Sequence, residues 1–542
     1  MLSTNKKRLL ASLLSGLLFV IGFPEIGNLS VLSFIAFIPL LWIEHSIFES
    51  KDKSYKVFIY SYLAFIIFNI GTTWWIWNAS IGGAIMAFTM NSLVMTVFFQ
   101  FFHFTKKITG KKIGMISFVL YWIAFEYIHY QWELSHPWLT LGNFFANNPY
   151  LIQWYSITGV LGGSLWVLIL NLLGFNLLSN IFIKQETIRV NKKRILIYLL
   201  ILFIPMCSSL IMYYNSPDVG TPTNVVVTQP NVDPYNEKFT GNIEDQLDRI
   251  CDLADSKTSK KTDFVLAPET ALPFSFYEDE VERIIYYHYL VERKANWNTA
   301  SLLIGASTKK FFKNKRSRAS KKIFGGPGYE EYYNSSMLID QMDKPKFIHK
   351  SKLVLGVEKV PFSNIFPQLE QLSIDNGGAS GTLGIEDYAQ VLTSRGITFA
   401  PVVCYESIYG GFISEQCKKG AELIFIITND GWWGDTPGYK QHLAFARLRA
   451  IENRKSIARS ANTGTSCFIN QRGDVVDKTE WWKQTSIKSV LKRNSIKTFY
   501  SMNGDMIGRN FGAAATLLLV YSLYLFFKRR KYIIISENSK LK

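Results

Sequence analysis

The sequence predicts a chain of two parts: a multi-span α-helical membrane domain with eight transmembrane helices, and an α/β domain outside the membrane. Three observations predict this fold class. Long apolar runs fill the first 215 residues, and one more lies near the end of the chain. Lys and Arg residues cluster beside these runs in alternate loops. Between residues 222 and 490, short β-branched runs alternate instead with amphipathic stretches.

The apolar runs have the length of membrane spans, which need about 20 mostly apolar residues. They lie at roughly 8–24, 30–48, 57–78, 84–104, 113–131, 160–182, 193–213 and 511–527. The first run follows basic residues, as a signal peptide would. It lacks a small-residue cleavage site and a second apolar run follows at once, so we expect it to be retained. A soluble protein with buried helices is the alternative interpretation.

The charges of the loops predict an orientation. Basic residues precede the first span, separate spans two and three, four and five, and six and seven, and follow the last span. The loops near 25–29, 79–83 and 132–159 contain no Lys or Arg. By the positive-inside rule, both termini are cytoplasmic and the α/β domain is not. The net charge of +17 is largely explained in this way, so we expect no nucleic-acid partner.

Strand-helix alternation predicts layered α/β architecture between the seventh and eighth spans. The strand candidates are NVVVTQP, DFVLAPE, SLLIGAST, YYNSSMLID, FAPVVCYE and ELIFIITND. The helix candidates are residues 243–256, 279–296 and 439–460. The basic tract KKFFKNKRSRASKKIFGGPG, residues 309–328, lies between two strand candidates, and we expect a mobile loop there.

Three residues at the ends of strand candidates, or soon after them, are candidates for chemistry. Glu269 follows the run FVLAP, Lys350 opens KSKLVLGVEKVPF, and Cys404 follows FAPVV. Each has an ordinary structural explanation when considered alone, since a cysteine at a strand end is more often a small core residue. There is no CxxC spacing and no pair of histidines at metal-ligand spacing, so we expect neither a metal nor a cofactor.

Taken together and in this order, the three residues resemble the Glu-Lys-Cys site of the nitrilase superfamily. The matching stretches are LAPETALPF, the Lys-x-x-Leu-Val…Glu pattern from Lys350 to Glu358, and CYES. The resemblance implies that the three side chains converge. It also implies a nitrilase-like αββα sandwich for the α/β domain.

With membrane spans on both sides of such a domain, the chain resembles the apolipoprotein N-acyltransferase family. Four further stretches carry this resemblance: HPWLTLGN (136–143), QPNVDPYNEK (229–238), TNDGWWGDTPGYKQHLAFARLRAIENRKSIARSANTG (428–464) and FYSMNGDMIG (499–508). Two segments depart from the family pattern. The family's Leu-Val-Pro-Phe-Gly-Glu is replaced by residues 353–358, and the loop around 371–390 matches poorly.

The resemblance assigns roles that chemical need supports. Cys404 is the expected nucleophile and Glu269 its base, because a thiol is mostly protonated at neutral pH. Lys350 and the backbone N–H of Tyr405 are candidate donors to an oxyanion. Glu358 is expected to orient Lys350 or to assist proton transfer, and Tyr405 and Glu406 are expected to support the site.

The remaining charged residues are given a structural interpretation. The helix candidate at 439–460 is expected to present a solvated face laced with ion pairs. Its charged and titratable residues are His442, Arg447, Arg449, Glu452 and Arg454. The sequence leaves open whether Cys251, Cys417 and Cys467 form disulfides.

The function implied by the resemblance is acyl transfer. A membrane phospholipid would donate an acyl chain to Cys404, and the diacylglyceryl N-terminal cysteine of an apolipoprotein would accept it on its α-amino group. The expected location is a bacterial inner membrane, with the catalytic domain periplasmic. The expected domains are 1–215, 222–490, a connection at 491–510, and 511–542 with the last span and a basic tail. A membrane-anchored nitrilase-like amidase is the first alternative, and a non-enzymatic scaffold the second.

Overall fold

The computed structural model describes residues 4–341, 344–372 and 381–540, in which a bundle of helices is joined to an α/β domain. Part of the poorly matching loop around 371–390, residues 373–380, lies outside the described residues. The helices that precede the α/β domain are α1 (Asn5–Gly22), α2 (Ile38–Glu49), α3 (Tyr55–Thr73), α4 (Ile76–Ala79), α5 (Ile81–Thr109), α6 (Lys111–His129), α7 (Tyr155–Thr158), α8 (Val160–Phe182) and α9 (Lys192–Asn215).

The α/β domain follows, and the chain then returns to the bundle. The strands are β1 (Thr221–Gln229), β2 (Phe264–Leu266), β3 (Leu272–Tyr277), β4 (Ser301–Phe312), β5 (Lys321–Lys322), β6 (Tyr329–Ile339), β7 (Lys346–His349), β8 (Leu392–Ser394), β9 (Ile397–Val403), β10 (Leu423–Thr428), β11 (Ile457–Ala461), β12 (Cys467–Ile469), β13 (Val475–Lys478) and β14 (Thr485–Arg493). The helices are α10 (Ile243–Asp255), α11 (Ile285–Ala295), α12 (Gly410–Lys418), α13 (Pro437–Asn453), α14 (Phe499–Asn503) and α15 (Met506–Lys540).

Six helical segments among the described residues are long and apolar enough to cross a membrane. They are Ser30–Glu49, Tyr55–Thr73, Ile81–Thr109, Val160–Phe182, Lys192–Asn215 and Met506–Lys531. The other two predicted spans coincide with α1 and α6. Each of these two helices includes three charged residues, which lowers its apolar character.

The chain termini and the α/β domain lie at opposite ends of the bundle. At one end, Arg8 near the N-terminus pairs with Asp52 at 2.8 Å, and Phe104 contacts Phe526 of α15 with ring centroids 5.7 Å apart. At the other end, the Nε1 of Trp75 donates to the Oε1 of Gln441, at 3.2 Å, in the α/β domain.

The α/β domain is a sandwich of two sheets with helices on both outer faces. One sheet has the order β14-β1-β2-β4-β6-β5, with β3 beside β4 and β7 beside β6, and the other has the order β13-β12-β11-β10-β9-β8. Phe264 of the first sheet contacts Phe399 and Phe425 of the second, with ring centroids 5.3 and 5.1 Å apart. Helices α10 and α11 bury apolar residues against the first sheet, and α12 and α13 against the second. The expected αββα layer order is confirmed.

The predicted strands and helices of the α/β domain were confirmed except at two places. Each strand candidate contains a strand, and the candidate at 243–256 is α10. The candidate at 279–296 is interrupted, with a 3-10 helix at Glu278–Arg283 before α11. The expected helix at 439–460 was wrong beyond Asn453, because Arg454 adopts left-handed φ and ψ of 52° and 44°. The next residues form β11, which pairs in parallel with β10, so pairing with a distant strand outweighs local helical pattern.

The expectation of a mobile loop at 309–328 was wrong in two parts of the tract. Strand β4 continues to Phe312, and Lys321 and Lys322 form β5, which pairs with β6. Residues 313–320 and 323–328 are connections without strand structure.

Candidate active site

The fold brings Glu269, Lys350 and Cys404 to one pocket. Each residue follows a strand: Glu269 lies shortly after β2, Lys350 directly after β7, and Cys404 directly after β9. All three are buried, with exposed fractions of 6%, 1% and 8%. Glu358 and Asn334 line the same space, which we call the Glu-Lys-Cys pocket.

Lys350 lies between two carboxylates. Its Nζ donates to the Oε1 of Glu269 at 3.1 Å and to the Oε1 of Glu358 at 2.9 Å. The Nδ2 of Asn334 lies 2.8 Å from each of the same two oxygens. The backbone N–H of Asn429 donates to the second oxygen of Glu269 at 3.1 Å. An ammonium group has three protons, so one proton of Lys350 remains for a substrate oxygen.

The surroundings keep the Glu269 carboxylate ionised and the Cys404 thiol neutral. Burial disfavours charge on Glu269, but the ammonium groups of Lys350 and Lys238 outweigh it and hold the pKa of Glu269 below its ordinary value. Burial also opposes the charge of Lys350, yet Glu269 and Glu358 raise its pKa well above the ordinary value. For Cys404, burial and the Glu269 charge raise the thiol pKa. The resting site therefore holds a neutral thiol and an ionised carboxylate, as a nucleophile and its base require.

Cys404 sits at a sharp turn between β9 and a 3-10 helix, Cys404–Ile408. Its φ of 52° lies in the left-handed region, which costs a non-glycine residue about 1–3 kcal/mol and needs support from its surroundings. Glu406 provides part of that support. Its carboxylate accepts the backbone N–H of Val403 at 2.8 Å and that of Ser351 at 2.6 Å. Burial raises the pKa of Glu406 to about 7.

A second, apolar pocket meets the first at Cys404. Tyr405 packs over Trp138 with ring centroids 6.5 Å apart, and Trp138 belongs to the loop between α6 and α8. Cys404 and Tyr405 line this apolar pocket together with side chains from the helical bundle and two loops. These include Trp75, Met86, Met90, Val94, Trp138, Leu355 and Trp433. Cys404 also lines the Glu-Lys-Cys pocket, so the thiol lies where a polar and an apolar space join.

Sequence reasoning missed three residues of the site. Lys238 is buried and its Nζ donates to the backbone oxygen of Glu269 at 2.9 Å. Asn334 and Asn429 bind the Glu269 carboxylate. Lys238 and Asn429 lie within two stretches that carry the family resemblance, and Asn334 lies in a strand candidate. Their residue types alone gave no signal, because only the fold brings them to Glu269.

The expected solvated face on α13 was wrong. His442, Arg449 and Glu452 are fully buried, and each has polar partners inside the protein. The helix lies between the second sheet and the bundle, so both of its long faces are covered. Buried charged groups need partners, and here they come from neighbouring elements.

The sequence left disulfide formation open and predicted no metal. The structure has five free cysteines, of which Cys251, Cys417 and Cys467 are buried and unpaired. Across the described ranges, no group of three or more His, Cys, Asp or Glu side chains is arranged to hold a metal ion.

Comparison with known proteins matches both parts of the chain. Residues 15–173 match the model of the apolipoprotein N-acyltransferase N-terminal domain, and residues 226–499 match that of the carbon-nitrogen hydrolase domain. An amidase of the nitrilase superfamily from Nesterenkonia has a solved structure that covers 54% of this chain and 98% of its own, with 14% identity and a TM-score of 0.36.

Three relatives that match almost the whole chain are apolipoprotein N-acyltransferases. The apolipoprotein N-acyltransferase of Chlorobaculum tepidum is 32% identical over 94% of this chain and 95% of its own length. Those of Geobacter metallireducens and Haemophilus influenzae are 26% and 25% identical, over 92% and 97% of this chain and 92% and 96% of their own lengths. The chain therefore belongs to the apolipoprotein N-acyltransferase family and is an enzyme with a carbon-nitrogen hydrolase domain.

Proposed function

We propose that this protein transfers an acyl chain from a membrane phospholipid to the lipidated N-terminal cysteine of an apolipoprotein, through a thioester on Cys404. The position of Cys404 carries the proposal, because its thiol joins the Glu-Lys-Cys pocket to the apolar pocket. The apolar pocket suits an acyl chain, and the polar pocket suits the carbonyl group that reacts.

In the first half of the reaction, Glu269 takes the thiol proton and the sulfur attacks the ester carbonyl of the phospholipid. The carbon–sulfur bond forms and the carbonyl electron pair moves to oxygen. The remaining proton of Lys350 and the N–H of Tyr405 stabilise this oxyanion. As the intermediate collapses, the ester carbon–oxygen bond breaks, and Glu269 returns its proton to the leaving lysophospholipid oxygen.

In the second half, the α-amino group of the apolipoprotein attacks the thioester. Glu269 accepts a proton from the amine, the carbon–nitrogen bond forms, and the carbon–sulfur bond breaks. The sulfur then regains its proton from Glu269. Glu358 keeps Lys350 oriented through both halves, while Glu406 and the ring of Tyr405 hold the loop that carries the nucleophile.

The same proposal includes the arrangement in the membrane. The chain has eight spans, with α1 and α6 added to the six most apolar helical segments, and both termini are cytoplasmic. The domain boundaries follow at 1–215, 222–490, 491–510 and 511–542. The membrane is the bacterial inner membrane and the catalytic domain is periplasmic. Loop charges support this orientation, as does the separation of the termini from the α/β domain.

A site beside the bundle suits lipid substrates energetically. Exposure of an acyl chain to water costs about 0.8 kcal/mol per CH₂ group. The apolar pocket includes Met86, Met90 and Val94 of α5, a helix that itself belongs to the membrane part. An acyl chain can therefore approach Cys404 without leaving apolar surroundings.

The test separates the two halves of the reaction. Purified enzyme is incubated with phospholipid and no acceptor, and its intact mass is measured. We expect one added acyl chain, mapped to Cys404, released by hydroxylamine and absent from Cys404→Ala. Addition of a diacylglyceryl peptide should then discharge the adduct and increase the peptide mass by one acyl chain.

Three other outcomes would overturn the proposal. Rapid discharge of the adduct by water, with release of ammonia from simple amides, would favour the amidase alternative. An adduct on Cys251, Cys417 or Cys467 would exclude Cys404 as the nucleophile. Loss of all chemistry would favour a scaffold.

A further inference from the structure

The backbone carbonyl of Cys404 is held by two donors, one of which comes from α13. The hydroxyl of Ser407 donates to this oxygen at 2.8 Å. The Nε2 of His442 lies 3.2 Å from the same oxygen and 2.7 Å from the Ser407 hydroxyl. Ser407 donates its only hydroxyl proton to Cys404. The Nε2 of His442 must therefore carry the imidazole proton in order to bond to both oxygens.

The other ring nitrogen fixes the orientation of His442. With the proton on Nε2, Nδ1 accepts from the Nη2 of Arg459 at 3.1 Å, and it lies 3.0 Å from the Oδ1 of Asp430. The same oxygen of Asp430 accepts the hydroxyl of Thr428 at 2.9 Å. Arg459 pairs with the second oxygen of Asp430. His442, Asp430 and Arg459 are all fully buried. A buried network in which every member is bonded is rigid, so the imidazole has little freedom to turn.

Because the peptide group is planar, fixing the carbonyl of Cys404 also fixes the N–H of Tyr405. In a trans peptide, the carbonyl of Cys404 and the N–H of Tyr405 point in opposite directions. His442 lines neither pocket, whereas Cys404 lines both. A carbonyl held toward His442 therefore sends the N–H of Tyr405 away from α13, to the side on which the thiol and the pockets lie.

We propose that His442, held by Asp430 and Arg459, is a positioning residue that aims the Tyr405 N–H at the developing oxyanion. The inference rests on the proposed role of Cys404 as nucleophile. A hydrogen bond donated to the Cys404 carbonyl also polarises the peptide group, which makes its N–H a better donor. Glu406 accepts the N–H of Val403 before the left-handed turn at Cys404, and His442 contacts the carbonyl after it, so the turn is held on both sides.

The test compares two reactions of the same thiol. Acylation by a small activated ester passes through an oxyanion, whereas alkylation by iodoacetamide does not. In His442→Ala, we expect acylation of Cys404 to slow by about 10²-fold or more, the usual effect of losing an oxyanion donor. Alkylation should proceed at about the wild-type rate. His442→Gln keeps a donor of similar reach and should recover part of the acylation.

Controls make the outcomes distinct. His288→Gln, which replaces an exposed histidine of α11, should alter neither reaction. An equal fall of acylation and alkylation in His442→Ala and His442→Gln would overturn the proposal in favour of general support of the fold, and unchanged acylation would overturn it outright. A wild-type adduct with the ester but none with phospholipid would refute the proposed function while leaving this inference intact.

Discussion

At the scale of single residues, the site keeps the Glu269 carboxylate ionised and the Cys404 thiol neutral. Glu269 is buried, and a buried carboxyl group tends to be neutral. Lys350 and Lys238 reverse that tendency and keep it ionised, whereas Cys404 has its pKa raised by the same burial. Proton transfer from thiol to carboxylate is thus uphill at rest and becomes favourable only when the sulfur bonds to a carbonyl carbon.

Replacement of either of the two proposed catalytic side chains beside Cys404 should slow formation of the acyl-enzyme. Lys350→Ala removes an oxyanion donor, so acyl-enzyme formation should slow by about 10²-fold or more. Glu269→Gln keeps the pocket shape but removes the base, and it should slow the same step. Both are measured as rates of acyl-enzyme formation by intact mass. A Lys350→Ala enzyme with the wild-type rate would exclude Lys350 as the donor.

Lys238 provides a prediction about pH. Burial lowers the pKa of Lys238 to about 8, so it is cationic at neutral pH and helps to hold the pKa of Glu269 down. Glu269 acts as a base only above its own pKa, and activity is lost as pH falls through that value. Lys238→Met removes one cation, raises the pKa of Glu269, and should move the acidic limb of acyl-enzyme formation to higher pH.

The control for this prediction is another buried lysine. Lys294 on α11 is buried, and the charged groups that influence its pKa are Asp340 and Arg395. Lys294→Met should therefore leave the acidic limb where it is. A limb that stays fixed in Lys238→Met, or moves to lower pH, would show that Lys238 does not act on the base.

At the scale of elements, the basic tract at 309–328 divides into paired and solvent-facing parts. Lys309 pairs with Glu330 at 3.3 Å and Lys310 with Glu278 at 3.0 Å, so both belong to the folded domain. Arg318 pairs at 2.7 Å with Glu133, which lies four residues after the end of α6. This ion pair holds the centre of the tract beside the end of the bundle. Phe324, which lies six residues after Arg318, is fully exposed.

We expect the exposed part of the tract to contact anionic lipid. The residues concerned are Lys313, Lys315, Lys321 and Lys322. Each basic residue near an anionic surface contributes about 1 kcal/mol, and salt screens the effect. Replacement of these four residues by Gln should lower activity on anionic vesicles, most strongly at low salt. The matched control replaces Lys257, Lys260 and Lys261, which lie after α10, by Gln. Equal activity of both variants across salt concentrations would contradict the expectation.

At the scale of the whole molecule, the prediction concerns orientation. A reporter fused after Val490 should be active only outside the cytoplasm, and one fused after Lys531 only inside it, because the segment Met506–Lys531 of α15 is long and apolar enough to cross a membrane. Enzymatic reporters active on only one side of the membrane make the measurement. Cytoplasmic activity at Val490 would overturn the orientation and, with it, access to lipoproteins outside the cytoplasm.

The sequence by itself determined the features that depend on residues close together in the chain. Apolar runs of about 20 residues marked the spans, and β-branched runs marked the strands. The motifs around Glu269, Lys350 and Cys404 indicated which strand ends are candidates for chemistry. These signals are local, so they can be recognised before any contact between distant segments is known.

Only the tertiary structure decided which other groups surround those residues. Asn334 is 65 positions from Glu269 along the chain, yet it binds the carboxylate at 2.8 Å. The charged side chains of α13 suggested a solvated face, but two layers of the protein cover that helix. The helix also ends earlier than its pattern predicts, because β11 gains a parallel partner in β10. Burial and long-range pairing are properties of the whole fold, and for that reason no short stretch of sequence contains them.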